Sequence, residues 1–133
     1  MFGKTSKPNN RIDTLIGAGT TIEGNVTFTG GLRIDGEVRG NVCVADEHPG
    51  VLVIGEQARI DGEVIVPHLV INGVVNGPIR SKDTLELQPR ARVNGDVEYN
   101  SIEIHLGAIV QGRLLHHGAA TAKTIELKLA NAH

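Results

Sequence analysis

The phrase IDGEV occurs at Ile34–Val38 and again at Ile60–Val64, and VNGDV at Val93–Val97 is a close third copy. An active site is normally written once, whereas a phrase repeated along a chain marks a structural unit that stacks on its own copies. The clearest glycines of the phrase are Gly24, Gly40, Gly62, Gly77, Gly95 and Gly112, at successive spacings of 16, 22, 15, 18 and 17 residues. The long spacing contains DEHPG at Asp46–Gly50, which reads as a surface turn inserted into one repeat. Secondary copies of the glycine fall at Gly36 and Gly73.

The phase extends beyond glycine. LIGAGTTIEG (15–24), VIGEQARIDG (53–62), ELQPRARVNG (86–95) and EIHLGAIVQG (103–112) align without gaps. They share hydrophobes at Ile16, Ile54, Leu87 and Ile104, small residues at Thr20, Ala58, Ala91 and Ala108, and second hydrophobes at Ile22, Ile60, Val93 and Val110. LRIDGEVRGNV (32–42) and LVINGVVNGPI (69–79) form a second matched pair, giving about six repeats over 14–117.

A helix cannot carry this pattern, because interior glycines cost about 1 kcal/mol each against alanine and the hydrophobes alternate. The alternating runs are short: Leu52/Ile54, Val64/Val66, Leu69/Ile71, Leu85/Leu87 and Ile102/Ile104. A hairpin meander would need longer strands and paired turn signals. A repeat of about 17 residues instead divides into three short strands and three corners. That is one coil of a parallel β-helix, and six coils stacked at about 4.8 Å make a rod of about 29 Å. Composition agrees: 17 Gly, one Tyr, two Phe and no Trp leave an aliphatic core too narrow for bulky rings. The expectation is an all-β, single-domain solenoid with tails at 1–13 and 118–133, the latter holding a possible partial coil at Ile125, Leu127 and Leu129.

Several functions are disfavoured. A net charge of −2 with interspersed signs provides no basic stripe for a phosphate backbone, so no nucleic-acid partner is expected. No Gly-rich phosphate loop marks a nucleotide site. Cys43 can form no internal disulfide and, within the apolar NVCVA, is expected to be a buried small hydrophobe. No signal peptide or spanning run is visible, so the chain reads as cytoplasmic. No cofactor is implied.

The ends of a solenoid are its open problem, because unpaired backbone groups and a bare apolar cross-section invite association unless capped. No amphipathic cap precedes the first coil, so end-to-end growth through Ile16, Ile22, Leu114, Leu115, Ile125 and Leu127 is expected. A charge at Leu114 or Leu127 should then block assembly.

The units IDGEVRGNV, VIGEQARIDGEV, VINGVVNGPI and VNGDV, phased across 15–114, resemble the bactofilins, a bacterial cytoskeletal family. The resemblance implies a right-handed β-helix with disordered ends, polymerising through its terminal coils without nucleotide. It also implies cytoplasmic filaments at the inner face of the cell membrane that scaffold cell-wall enzymes, shape determinants or polar proteins. The leader MFGKTSK is similar to the membrane-targeting start of many bactofilins, which points to Met1, Phe2, Lys4 and Lys7 as lipid contacts. One copy would bind weakly, at about 1 kcal/mol per lysine. A filament would multiply that by avidity.

Two rival readings remain. Hexapeptide-repeat acyltransferases also form β-helices, and Ile16, Ile22, Phe28 and Ile34 follow their interval of six, but Val38, Val42 and Val44 break it. Their catalytic histidine has candidates in His48, His68, His105, His116, His117 and His133, none with an acidic partner at an orienting spacing. The adjacent His116–His117 pair lacks further metal ligands. Asp35, Asp61 and Asp96, beside repeat glycines, could form a carboxylate ladder but read as surface turn residues. The other rival is a monomeric solenoid that binds a partner along one face.

Overall fold

The computed structural model describes residues 11–46 and 48–116. Among these, sixteen strands and no helix are found, and every strand pairing is parallel. The strands wind through six coils at 14–28, 30–44, 50–66, 68–81, 84–99 and 101–116. Each coil contributes one segment to each of three faces, and each segment stacks on its equivalents above and below. This is the parallel β-solenoid that the repeat predicts.

Side-chain alternation decides what lies inside. On the first face, Leu32, Leu52, Leu69 and Leu85 stack in register, beside a second column of Ile16, Ile34, Ile54, Ile71 and Leu87. The second face contributes Val38, Ile60, Val75 and Val93. The third contributes Val42, Val64, Ile79, Val97 and Leu114. All of these are buried, and Tyr99 is the one aromatic among the buried residues of the described chain. Each side chain thus packs on near-copies of itself, which rewards β-branched and leucine residues of constant width.

Glycine closes the corner between the second and third faces. A Cβ at Gly40, Gly62, Gly77, Gly95 or Gly112 would run into the carbonyl of the ladder glycine one coil below, a column that begins at Gly24. At Gly95 that Cβ would sit 2.5 Å from the Gly77 oxygen, on a backbone with φ +154°. The residue after the glycine then secures the corner with its side chain. Asn25 Oδ1 accepts from the Asn41 amide at 2.9 Å, Asn41 Oδ1 from Glu63 at 2.9 Å, and Asp96 Oδ1 from Arg113 at 3.0 Å. Pro78 occupies this column with no N–H to satisfy.

The corner between the first and second faces comes in two lengths. Coils one, three, five and six turn through four-residue segments such as 55–58, closed by Ala58 N–H donating to the Gly55 carbonyl at 3.0 Å. Coils two and four turn tightly at Asp35–Gly36 and Asn72–Gly73, where the glycine lies against carbonyls of the wider turn below. These are the two series of repeats visible in the sequence.

Three features differ from expectation. Ile79–Leu87 and Val97–Ile104 are single strands that carry the chain from the third face of one coil into the first face of the next. A register shift between Ser81 and Thr84 lets the former bend. The buried Ser81 hydroxyl sits there, 2.8 Å from the Thr84 carbonyl and 2.9 Å from that of Pro67, and donates to one at a time. Cys43 is half-buried on the outward side of the third face, beside Thr27 at 3.8 Å, because Val42 takes the inward position. Stacking also starts before Thr14, since Asp13 bonds Gly31 through both its N–H (2.9 Å) and its carboxylate (2.9 Å).

Candidate functional site

The two ends of the rod are chemically unlike its middle. Among the described residues, the strands of the first coil have no paired neighbour below, and those of the last coil have none above. The described residues contain five exposed large hydrophobes: Ile12 (39%), Leu15 (60%), Ile104 (48%), Leu106 (95%) and Ile109 (45%). All five lie in the first coil, in its lead-in or in the last coil. At the outward positions equivalent to Ile109, inner coils carry Glu37, Arg59, Val74 and Arg92, and at those equivalent to Leu15 they carry Arg33, Val53, Val70 and Glu86. The inner valines at these positions are half-buried, whereas Leu15 and Ile109 are exposed.

The residues predicted for end-to-end contact differ from these five. Ile16 (8% exposed) and Leu114 (6%) point into the core and are nearly covered. Ile22 and Leu115 are half-buried. Alternation selects inward positions, and of the five exposed hydrophobes Ile104 alone continues an inward column, as the partner of Leu87. Ile125 and Leu127 lie outside the described residues, as do the tail contacts Met1, Phe2, Lys4 and Lys7. Gly24, Gly40, Gly62, Gly77, Gly95 and Gly112 share one corner column, and Gly36 and Gly73 share another.

The sides of the rod are laced by polar columns. Arg39 reaches Glu23 in the coil below (3.1 Å) and Glu37 in its own coil (3.0 Å). Arg80 lies between Glu63 (4.0 Å) and Glu98 (3.4 Å). Asn94 Nδ2 donates to Asn76 Oδ1 (2.6 Å), whose own Nδ2 donates to Asp61 (2.8 Å). That amide and the Arg59 guanidinium hold the Asp61 carboxyl below its usual range. The Arg113 backbone N–H and guanidinium do the same to Asp96. Asp35, Asp61 and Asp96 belong to three different columns, so no carboxylate ladder forms.

Two histidines have acidic neighbours, one of them, Glu86, brought to His105 by stacking. His68 Nδ1 is 2.9 Å from Thr84 Oγ1, and its Nε2 is 3.5 Å from Asp83. His105 Nε2 is 3.0 Å from Glu86 and 3.3 Å from Glu103. The expectation that no histidine has an acidic partner fails at both. Adjacent coils supply the contacts Thr84 and Glu86, and relating them needs the strand register. His116 packs edge-on against Tyr99, with ring centroids 5.3 Å apart.

No helix of the described chain is long and apolar enough to cross a membrane, which leaves β-barrel crossing unaddressed. The family described as "Bactofilin: Polymer-forming cytoskeletal" matches residues 14–115. Bactofilin BacP of Myxococcus xanthus (strain DK1622) is 27% identical over 109 residues, covering 82% of this chain and 44% of BacP. The chain thus spans less than half the length of that relative. Bactofilin BacO of the same organism is 28% identical over 102 residues, covering 77% of this chain and 78% of BacO. No solved structure matches the chain. With the family match spanning the first strand to the last, on a six-coil parallel solenoid, the chain belongs to the bactofilins, a polymer-forming cytoskeletal family.

Proposed function

We propose that this chain is a non-enzymatic filament subunit whose rods join end to end without nucleotide, forming a cytoplasmic scaffold at the inner face of the cell membrane. The observation that carries this reading is the confinement, among the described residues, of the exposed large hydrophobes to the terminal coils and the lead-in to the first. Burying a fully exposed leucine contributes about 1.5–3 kcal/mol, so a contact centred on Leu106 and its neighbours offsets part of the entropy cost of association. Docking one end on another also pairs strand edges that otherwise face water, continuing the ladder that holds the coils together. A heterologous contact of this kind does not close on itself and propagates as a filament.

Met1, Phe2, Lys4 and Lys7 are the proposed lipid contacts, made effective by many copies along a filament. Cell-wall or morphogenesis proteins are the proposed clients of the scaffold. Electron microscopy of the purified chain without nucleotide tests the core of the reading. Unbranched filaments are expected, and a 14.1 kDa monomer persisting at high concentration contradicts it. Liposome co-sedimentation before and after deletion of residues 1–7 tests the tail, and equal pelleting contradicts the lipid role.

A further inference from the structure

Register on the first face places Glu86 directly beside Glu103 of the next coil. Where two charged residues pair in register elsewhere, the signs are opposite: Glu23 with Arg39, Glu37 with Arg59, Arg39 with Asp61, and Arg80 with Glu98. Like charges in directly opposed positions destabilise a sheet. Glu86 and Glu103 are thus the like-charge register pair of the described rod. Their ion-pairing partner among the described residues is the His105 imidazole rather than a guanidinium or ammonium.

We propose that Glu86, Glu103 and His105 form a binding site for a divalent transition-metal cation of the Zn²⁺ type. One ligand atom from each residue lies within 4.8 Å of the other two. His105 Nε2 stands 3.0 Å from Glu86 Oε2 and 3.3 Å from Glu103 Oε2. Ligands at about 2.0–2.2 Å from a zinc ion are themselves separated by roughly 3.0–3.5 Å in tetrahedral or octahedral arrangements, so little movement is required. Two carboxylates neutralise the dication, and the imidazole favours a borderline metal over Ca²⁺ or Mg²⁺. The site opens to solvent, with side chains 34%, 69% and 38% exposed in the order Glu86, Glu103, His105, which leaves positions for water. Glu86 lies on a strand shared by coils four and five, and Glu103 on the strand shared by coils five and six. A bound ion would therefore pin the last coil to the one below it. The site stands whether or not the rods join.

The test is calorimetric titration of the full chain with Zn²⁺ alone, paired with thermal melts. One ion per chain is expected, with His105→Asn and Glu86→Gln weakening binding about tenfold or more and His48→Asn leaving it unchanged. Glu103→Gln should raise the metal-free melting temperature by removing the like-charge contact, and should abolish the rise that Zn²⁺ produces in the parent chain. Two results would overturn the proposal. One is an absence of saturable binding by the parent chain. The other is unchanged binding by both His105→Asn and Glu86→Gln, which would move the metal elsewhere, for example to the adjacent His116 and His117.

Discussion

The inner coils and the terminal coils are built from one repeat, yet among the described residues the large exposed hydrophobes lie in the terminal coils and the lead-in to the first. In coils two to five the outward positions carry Arg33, Arg39, Arg59, Arg80 and Arg92 alongside the half-buried Val53, Val70 and Val74, and no large hydrophobe is exposed. In coils one and six, Leu15 and Ile109 occupy equivalent outward positions, and Leu106 tops a turn where coil three has Glu56. The repeat thus fixes how coils stack, while departures from it in the first and last described coils leave large apolar side chains exposed. An inner coil has its backbone and its apolar edge satisfied on both sides. Among the described residues a terminal coil has a neighbour on one side, and the proposed docking of a second rod would supply the other.

Substitutions at the corner glycines separate the two regions most sharply. Gly95→Val forces a branched side chain against the Gly77 backbone and is expected to cost about 3 kcal/mol or more. Gly17→Ala, in the first coil, adds a Cβ with nothing within 4 Å and is expected to leave the melting temperature within a degree or two. Equal destabilisation by the two would break the claim that close stacking is confined to glycines with a coil beneath them.

Core truncation gives a smaller contrast. Leu52→Ala, fully buried between neighbouring leucines, is expected to cost about 2–5 kcal/mol in denaturant unfolding. Ile104→Ala, at the exposed end of its column, is expected to cost under about 1 kcal/mol. Leu114→Arg belongs with the core changes, because Leu114 is 6% exposed, and is expected to loosen the last coil as well as to affect assembly. Loss of native circular dichroism in that variant would separate it from a pure interface mutant.

The smallest expected effect is on pH dependence. Asp61 and Asp96 have native carboxyl pKa values held below the usual 3.8. Their contribution is therefore fully present above that value and is lost as pH falls through the lower native values. Asp96→Asn should flatten the fall in melting temperature between about pH 4 and pH 2. A slope as steep as the parent's would assign the acid sensitivity to other carboxylates.

Much of this was legible in the chain because a solenoid writes its contacts locally. Glycine spacing located the corner column, and the two series of repeats correspond to the wide and tight corners at 55–58 and 72–73. What alternation could not provide was register and exposure. Cys43 and Val42 are both apolar neighbours in a run, and only the pairing of Val42 with Val64 shows which one points inward. Glu86 and His105 are separated by 19 residues, and only the register of Glu86 with Glu103 shows that they meet. The end surface was readable but overlooked. In the gapless alignment Leu106 and Ile109 stand where the third repeat has Glu56 and Arg59, and that break in polarity was the signal.

The most direct measurement of the adhesive-end claim is sedimentation velocity on the parent chain, Leu106→Arg and Val53→Arg at matched concentration, with circular dichroism confirming that each retains its β-sheet. Val53 is half-buried on the outward side of the third coil, and its variant reports what a new charge does away from the ends. The account predicts large, concentration-dependent species for the parent chain and for Val53→Arg, and a collapse toward monomer for Leu106→Arg. Assembly that survives Leu106→Arg but fails with Val53→Arg would contradict it and move the contact to the side of the rod.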